Sequence, residues 1–101
     1  MPVYVDNSRL EWRGKQWCHL VADSLEELHA FAGRLGLRRE WFQSRTMYLH
    51  YDVTVAVRAK ALALGAQIGD KATIVGCARR LRSEYVGQPH VGTSNLKTGA
   101  I

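Results

Sequence analysis

"WCHLVADSLEELHAFAGRLG", residues 17–36, decides the fold. Its first seven residues hold neither Pro nor Gly, and the following thirteen repeat apolar side chains at helical spacing. A strand therefore runs directly into a helix. Along Trp17–Asp23, Cys18, Leu20 and Ala22 share one face, while Trp17, His19, Val21 and Asp23 share the other. Apolar residues on both faces predict a central strand covered on both sides. Ser24 followed by Glu27 forms a capping box that satisfies backbone N–H groups of the first helical turn. Leu25, Leu28, Phe31, Ala32 and Leu35 make one buried stripe. Gly36 stands where a left-handed cap belongs. Gly33 costs up to about 1 kcal/mol relative to alanine inside a helix, which suggests close packing there.

The flanking sequence extends the same pattern. "PVYVD" predicts a strand over Val3–Val5, and "NSRLEWRGKQ" (7–16) a polar loop turning at Gly14. "LRREWFQSRT" (37–46) reads as a short strand or an irregular segment. "MYLHYD" (47–52) reads as a strand feeding a second helix that Asp52 or Thr54 caps and Gly65 ends. Val53, Val57, Ala61 and Leu64 are its expected buried face, with Arg58 and Lys60 outward. "AQI" (66–68) is a brief strand. "DKATIVGCARRLRSEY" (70–85) is a third helix starting at Asp70 or Thr73, with a stripe of Ile74, Cys77, Ala78, Leu81 and Tyr85. The expected fold class is α/β: one domain over residues 1–87, with a small sheet of about three or four strands packed with three helices. Residues 88–101 form a small, polar tail that an oligomer contact would have to hold.

Composition narrows the partners. The 101 residues carry 14 Lys and Arg against 9 Asp and Glu, a net charge of +5. A basic balance favours encounter with anions such as nucleotides or nucleic acid. A chain this short has a thin core, so a homo-oligomer is expected. Cys18 and Cys77 lie far apart, form no CxxC pair and match no zinc spacing, so both are expected as free thiols in a reducing cytoplasm. No signal-like start and no long apolar run is present, so the expectation is a cytoplasmic protein with no membrane partner.

Five motifs resemble a known domain family in order and spacing. They are "VYVD" (3–6), "WCHLVAD" (17–23), "EELHAFAGRLGLRREWFQ" (26–43), "HYDVT" (50–54) and "ALGA" (63–66). Together they resemble DUF4031, a small domain of unknown function common in bacteriophage and actinobacterial genomes. The resemblance covers about residues 2–82. It implies a phage or bacterial protein, working in the bacterial host cytoplasm if phage-encoded, and implies no activity.

Three constellations could carry chemistry. His19, His50 and Asp52 could hold Zn²⁺, Mn²⁺ or Fe²⁺, but neither HxxxH nor HExxH spacing is present, and no metal ligand or cofactor is assigned. The same residues could act as acid and base in a phosphoesterase or nucleotide hydrolase. The HxT or HxS pairs of two-histidine phosphoesterases, a Walker loop and a GxSxG elbow are all missing. Binding without turnover uses more of the residues. Arg38 and Arg39 would pair with phosphate and Trp41 would stack on a base. His19, His50, Tyr51 and Asp52 would add hydrogen bonds. Tyr51 alternates away from His50 and Asp52 if the strand runs through all three. The leading expectation is a binder of an anionic, nucleotide-like small molecule, a phage sponge of a host immune nucleotide signal. Nucleic-acid binding through Arg79, Arg80 and Arg82 on the third helix is the further alternative.

Overall fold

The computed structural model describes residues 2–87, so the expected 88–101 tail lies outside the described residues. Five strands and three helices build a mixed α/β fold. The strands are β1 (Val3–Val5), β2 (Leu10–Trp12), β3 (Lys15–Ala22), β4 (Tyr51–Thr54) and β5 (Gln67–Ile68). The helices are α1 (Leu25–Arg34), α2 (Val55–Ala63) and α3 (Lys71–Gly87). No helix among the described residues is long and apolar enough to cross a membrane.

β3 is the spine. β4 pairs with one edge, setting His19 opposite Asp52 and Leu20 opposite Tyr51. β1 and β2 share the other edge: Leu20 also faces Val5, and Trp17 also faces Leu10. β5 then adds to β1 in parallel. Cys18, Leu20, Val21 and Ala22 are fully buried, as a strand covered on both faces requires.

Several local readings change. The expected polar loop at 7–16 contains β2, closed onto β3 by a two-residue hairpin turn at Arg13–Gly14. Both turn residues have positive φ, 52° and 75°, the geometry that matches the strand twist. Arg gives no hint of such a turn, which is why the strand was hidden. Between β1 and β2, residues Asp6–Arg9 form a bulge, four residues standing against only Cys18 and His19 of β3, with Arg9 at φ 50°. Residues 39–41 form a single 3-10 turn. The strand expected over 47–52 begins only at Tyr51, with one isolated bridge joining His50 to Gln43.

Helix ends follow the sequence more closely. Ser24 Oγ accepts the Glu27 N–H at 3.1 Å. The Glu27 carboxylate bonds the Ser24 hydroxyl, not its backbone N–H. Gly36 and Gly65 both adopt positive φ in paired C-terminal bonds: Leu37 N–H reaches Ala32, and Ala66 N–H reaches Ala61. Thr54, not Asp52, caps α2. Gly33 is exposed, and a Cβ there would meet nothing within 4 Å, so close packing is not its reason. Leu64 is exposed, and Arg58 turns inward to donate from Nε to the Asp6 carbonyl at 2.7 Å.

Candidate functional site

The bulge after β1 is the local cause of the site. It returns the Asp6 carboxylate onto β3, where Oδ1 accepts the His19 backbone N–H at 2.8 Å and Oδ2 accepts from His19 Nδ1 at 2.6 Å. Bulges beside functional sites re-aim side chains in this way. Burial alone would raise the Asp6 carboxyl. Its hydrogen bonds from the His19 backbone and ring, the His19 charge and the Ser8 N–H outweigh that and hold it below the usual carboxylate range.

His19 and Asp52 are direct cross-strand partners. His50 precedes Asp52 by two residues and approaches from the same face. Its ring meets that of His19 edge-on, with centroids 4.8 Å apart. His50 Nδ1 donates to the Tyr48 carbonyl, and Nε2 lies 3.1 Å from Asp52 Oδ1. Burial disfavours the charged ring. The bonds to Asp52 and Tyr48, with the charges of Asp52 and Asp6, nevertheless raise the His50 pKa above its ordinary value. One ligand atom each from His19, His50 and Asp52 falls within 4.8 Å of the others. Both imidazoles have Nδ1 committed to an acceptor, which leaves Nε2 as the free position of His19. Ser8 Oγ also approaches Nδ1 of His19, at 3.3 Å, the same nitrogen that Asp6 occupies. A Ser–His–Asp relay needs opposite ring nitrogens, so these three do not form one.

His19 and His50 line an open groove of about 1230 Å³. Val21, Ile74, Val75 and Ala78 give it apolar walls, and Gly69–Lys71 bring the start of α3 to its margin. Asp70 caps that helix by accepting the Thr73 N–H at 2.8 Å.

The other expected site residues lie elsewhere. Tyr51 is buried on the opposite face of β4, with its hydroxyl 2.8 Å from His29 Nδ1, so it cannot join His50 and Asp52. Arg39 lines a separate cavity of about 580 Å³ with His29, Phe42 and Tyr85, and the two cavities share no lining residue. Arg38 pairs with Glu40 at 3.0 Å on the surface. Trp41 is exposed and lines neither cavity. The expected Arg38–Trp41 pocket with the histidines is therefore split, because the 3-10 turn carries these residues away from the β3–β4 face. On α3, Arg80 is held by Asp23 at 2.8 Å and Arg82 by the Thr46 carbonyl at 3.0 Å.

A family model described as "Protein of unknown function (DUF4031)" matches residues 3–81. The chain belongs to this family. The DUF4031 match spans β1 through most of α3, so Asp6, His19, His50 and Asp52 all fall inside it. No curated protein and no solved structure matches the chain.

Asp6, Ser8 and Tyr48 are the site residues that sequence reasoning missed. Asp6 closes the "VYVD" motif, but its reach to His19 depends on a bulge that no local residue pattern announces.

Proposed function

We propose that the groove beside His19 and His50 binds an anionic, nucleotide-like small molecule. The observation that carries this reading is the meeting of two imidazoles at the edge of a groove of about 1230 Å³ with apolar walls. Small-molecule sites commonly occupy about 300–1,000 Å³, so there is room for a ligand as large as a dinucleotide. Leu10, Ile68 and Val75 offer base-packing surface, while Lys71 offers a cationic donor to phosphate and His19 presents its free Nε2. Arg38, Arg39 and Trp41 no longer enter this reading. The finer version is a phage-encoded sponge, working in the host cytoplasm, that sequesters an immune nucleotide signal. It draws on the phage distribution that the sequence resemblance implies.

Titration calorimetry against cyclic dinucleotides and ADP-ribose derivatives tests the proposal. Saturable binding that His19→Ala weakens supports it. A folded sample that binds no member of the panel refutes it.

The short Asp6–His19 contact favours a second reading, phosphoester hydrolysis. Asp6 would fix the tautomer in which His19 Nε2 is basic, and His50, held by Asp52, would supply a proton. Chromatography after incubation with the same ligands would then show new products. His50→Ala would abolish them while the circular dichroism spectrum stays unchanged. Nucleic-acid binding through α3 retains less support, since Arg80 and Arg82 are both engaged within the chain.

A further inference from the structure

We propose that His19, His50 and Asp52 bind a divalent transition-metal ion, with Asp6 and the Tyr48 carbonyl as orienting partners. The inference stands without the nucleotide reading. Two imidazoles and one carboxylate are a donor set for Zn²⁺ and its neighbours rather than for Ca²⁺ or Mg²⁺, which prefer oxygen alone. Their ligand atoms already lie within 4.8 Å of one another. Bonds of about 2.0–2.1 Å in a tetrahedral site place ligands roughly 3.3 Å apart. The 3.1 Å between His50 Nε2 and Asp52 Oδ1, an ion pair that a metal ion would replace, is already that close, and the full set lies within 4.8 Å.

The outer contacts point the same way. Metal-binding histidines nearly always donate their second ring N–H to a carboxylate or backbone carbonyl. Here both do: His19 Nδ1 to Asp6 Oδ2 at 2.6 Å, and His50 Nδ1 to the Tyr48 carbonyl. Two adjacent histidines, each held from behind and converging with one carboxylate, form a site with its orienting shell built. With neutral imidazoles, Asp6 and Asp52 leave a local charge that a divalent ion neutralises. Three protein ligands leave a position open, as in catalytic rather than structural zinc sites.

Calorimetry of the full, chelator-treated chain with ZnCl₂ alone is expected to show saturable binding of one equivalent. His50→Ala and Asp52→Asn should each weaken it at least tenfold. Asp6→Asn, which touches no metal, should weaken it roughly 10–100-fold and alter the visible bands of the Co²⁺-loaded protein. A second measurement needs no variant: substoichiometric Mn²⁺ should broaden the ring signals of His19 and His50 well before those of His29. Absence of saturable Zn²⁺ uptake overturns the proposal. So does uptake that survives both His50→Ala and Asp52→Asn, or equal broadening of all three histidines.

Discussion

His29, on α1, is a histidine engaged inside the fold. It flanks the α1 stripe, yet its ring accepts the Tyr51 hydroxyl and packs against Phe42, with centroids 4.7 Å apart. Burial, with the Arg39 charge, pushes its pKa down to about 4, Glu84 opposing. A folded value below the unfolded one means that acid favours the unfolded chain. Stability from this group is complete above about pH 6.5 and is lost as pH falls toward 4. Between pH 7 and 5 the loss is at most about 2 kcal/mol, and less for a ring still partly solvated. His50 has the opposite sign: its raised value contributes stability at low pH that is lost as pH rises through it. Urea midpoints of wild type and His29→Gln over this range isolate the His29 share, and the variant is expected to show the shallower acid loss. The thiols give a second prediction. Cys18 and Cys77 are buried and unpaired. Burial pushes Cys77 up to about 11, with the Asp23 carboxylate adding to the effect and Arg80 opposing it. Iodoacetamide at pH 8 should label both only after denaturation, as read by mass spectrometry.

At the scale of elements, helix starts and stops were legible because their signals are local. Ser24, Thr54, Gly36 and Gly65 each act within four residues of themselves. Ser24→Ala should cost about 1 kcal/mol in urea unfolding. The Arg13–Gly14 turn was not legible as a hairpin, since Arg rarely accepts positive φ. Arg13→Asn should raise stability by several tenths of a kcal/mol, because Asn–Gly suits this turn; an unchanged or lowered midpoint would show that Arg13, whose guanidinium lies 4.6 Å over Trp12, matters more through that contact. Asp6 belongs to the same scale: its role follows from the interruption between β1 and β2, not from its neighbours in sequence.

For the whole molecule, the core among the described residues runs from Val3 to Leu81. Leu20 joins both edges of the sheet through Val5 and Tyr51. Leu20→Ala should cost about 2–5 kcal/mol against a total near 5–15 kcal/mol, leaving a marginal fold with a much lower melting temperature. The sequence by itself determined the α/β class, the central strand, all three helices and the face shared by His50 and Asp52. Periodicity and capping decide those within a few residues. Only the tertiary structure decided that His19 stands opposite Asp52, that Asp6 holds His19 from behind, and that Arg38, Arg39 and Trp41 lie elsewhere. Strand register and a bulge set those contacts, and both depend on how distant segments pair rather than on any one segment's own preferences.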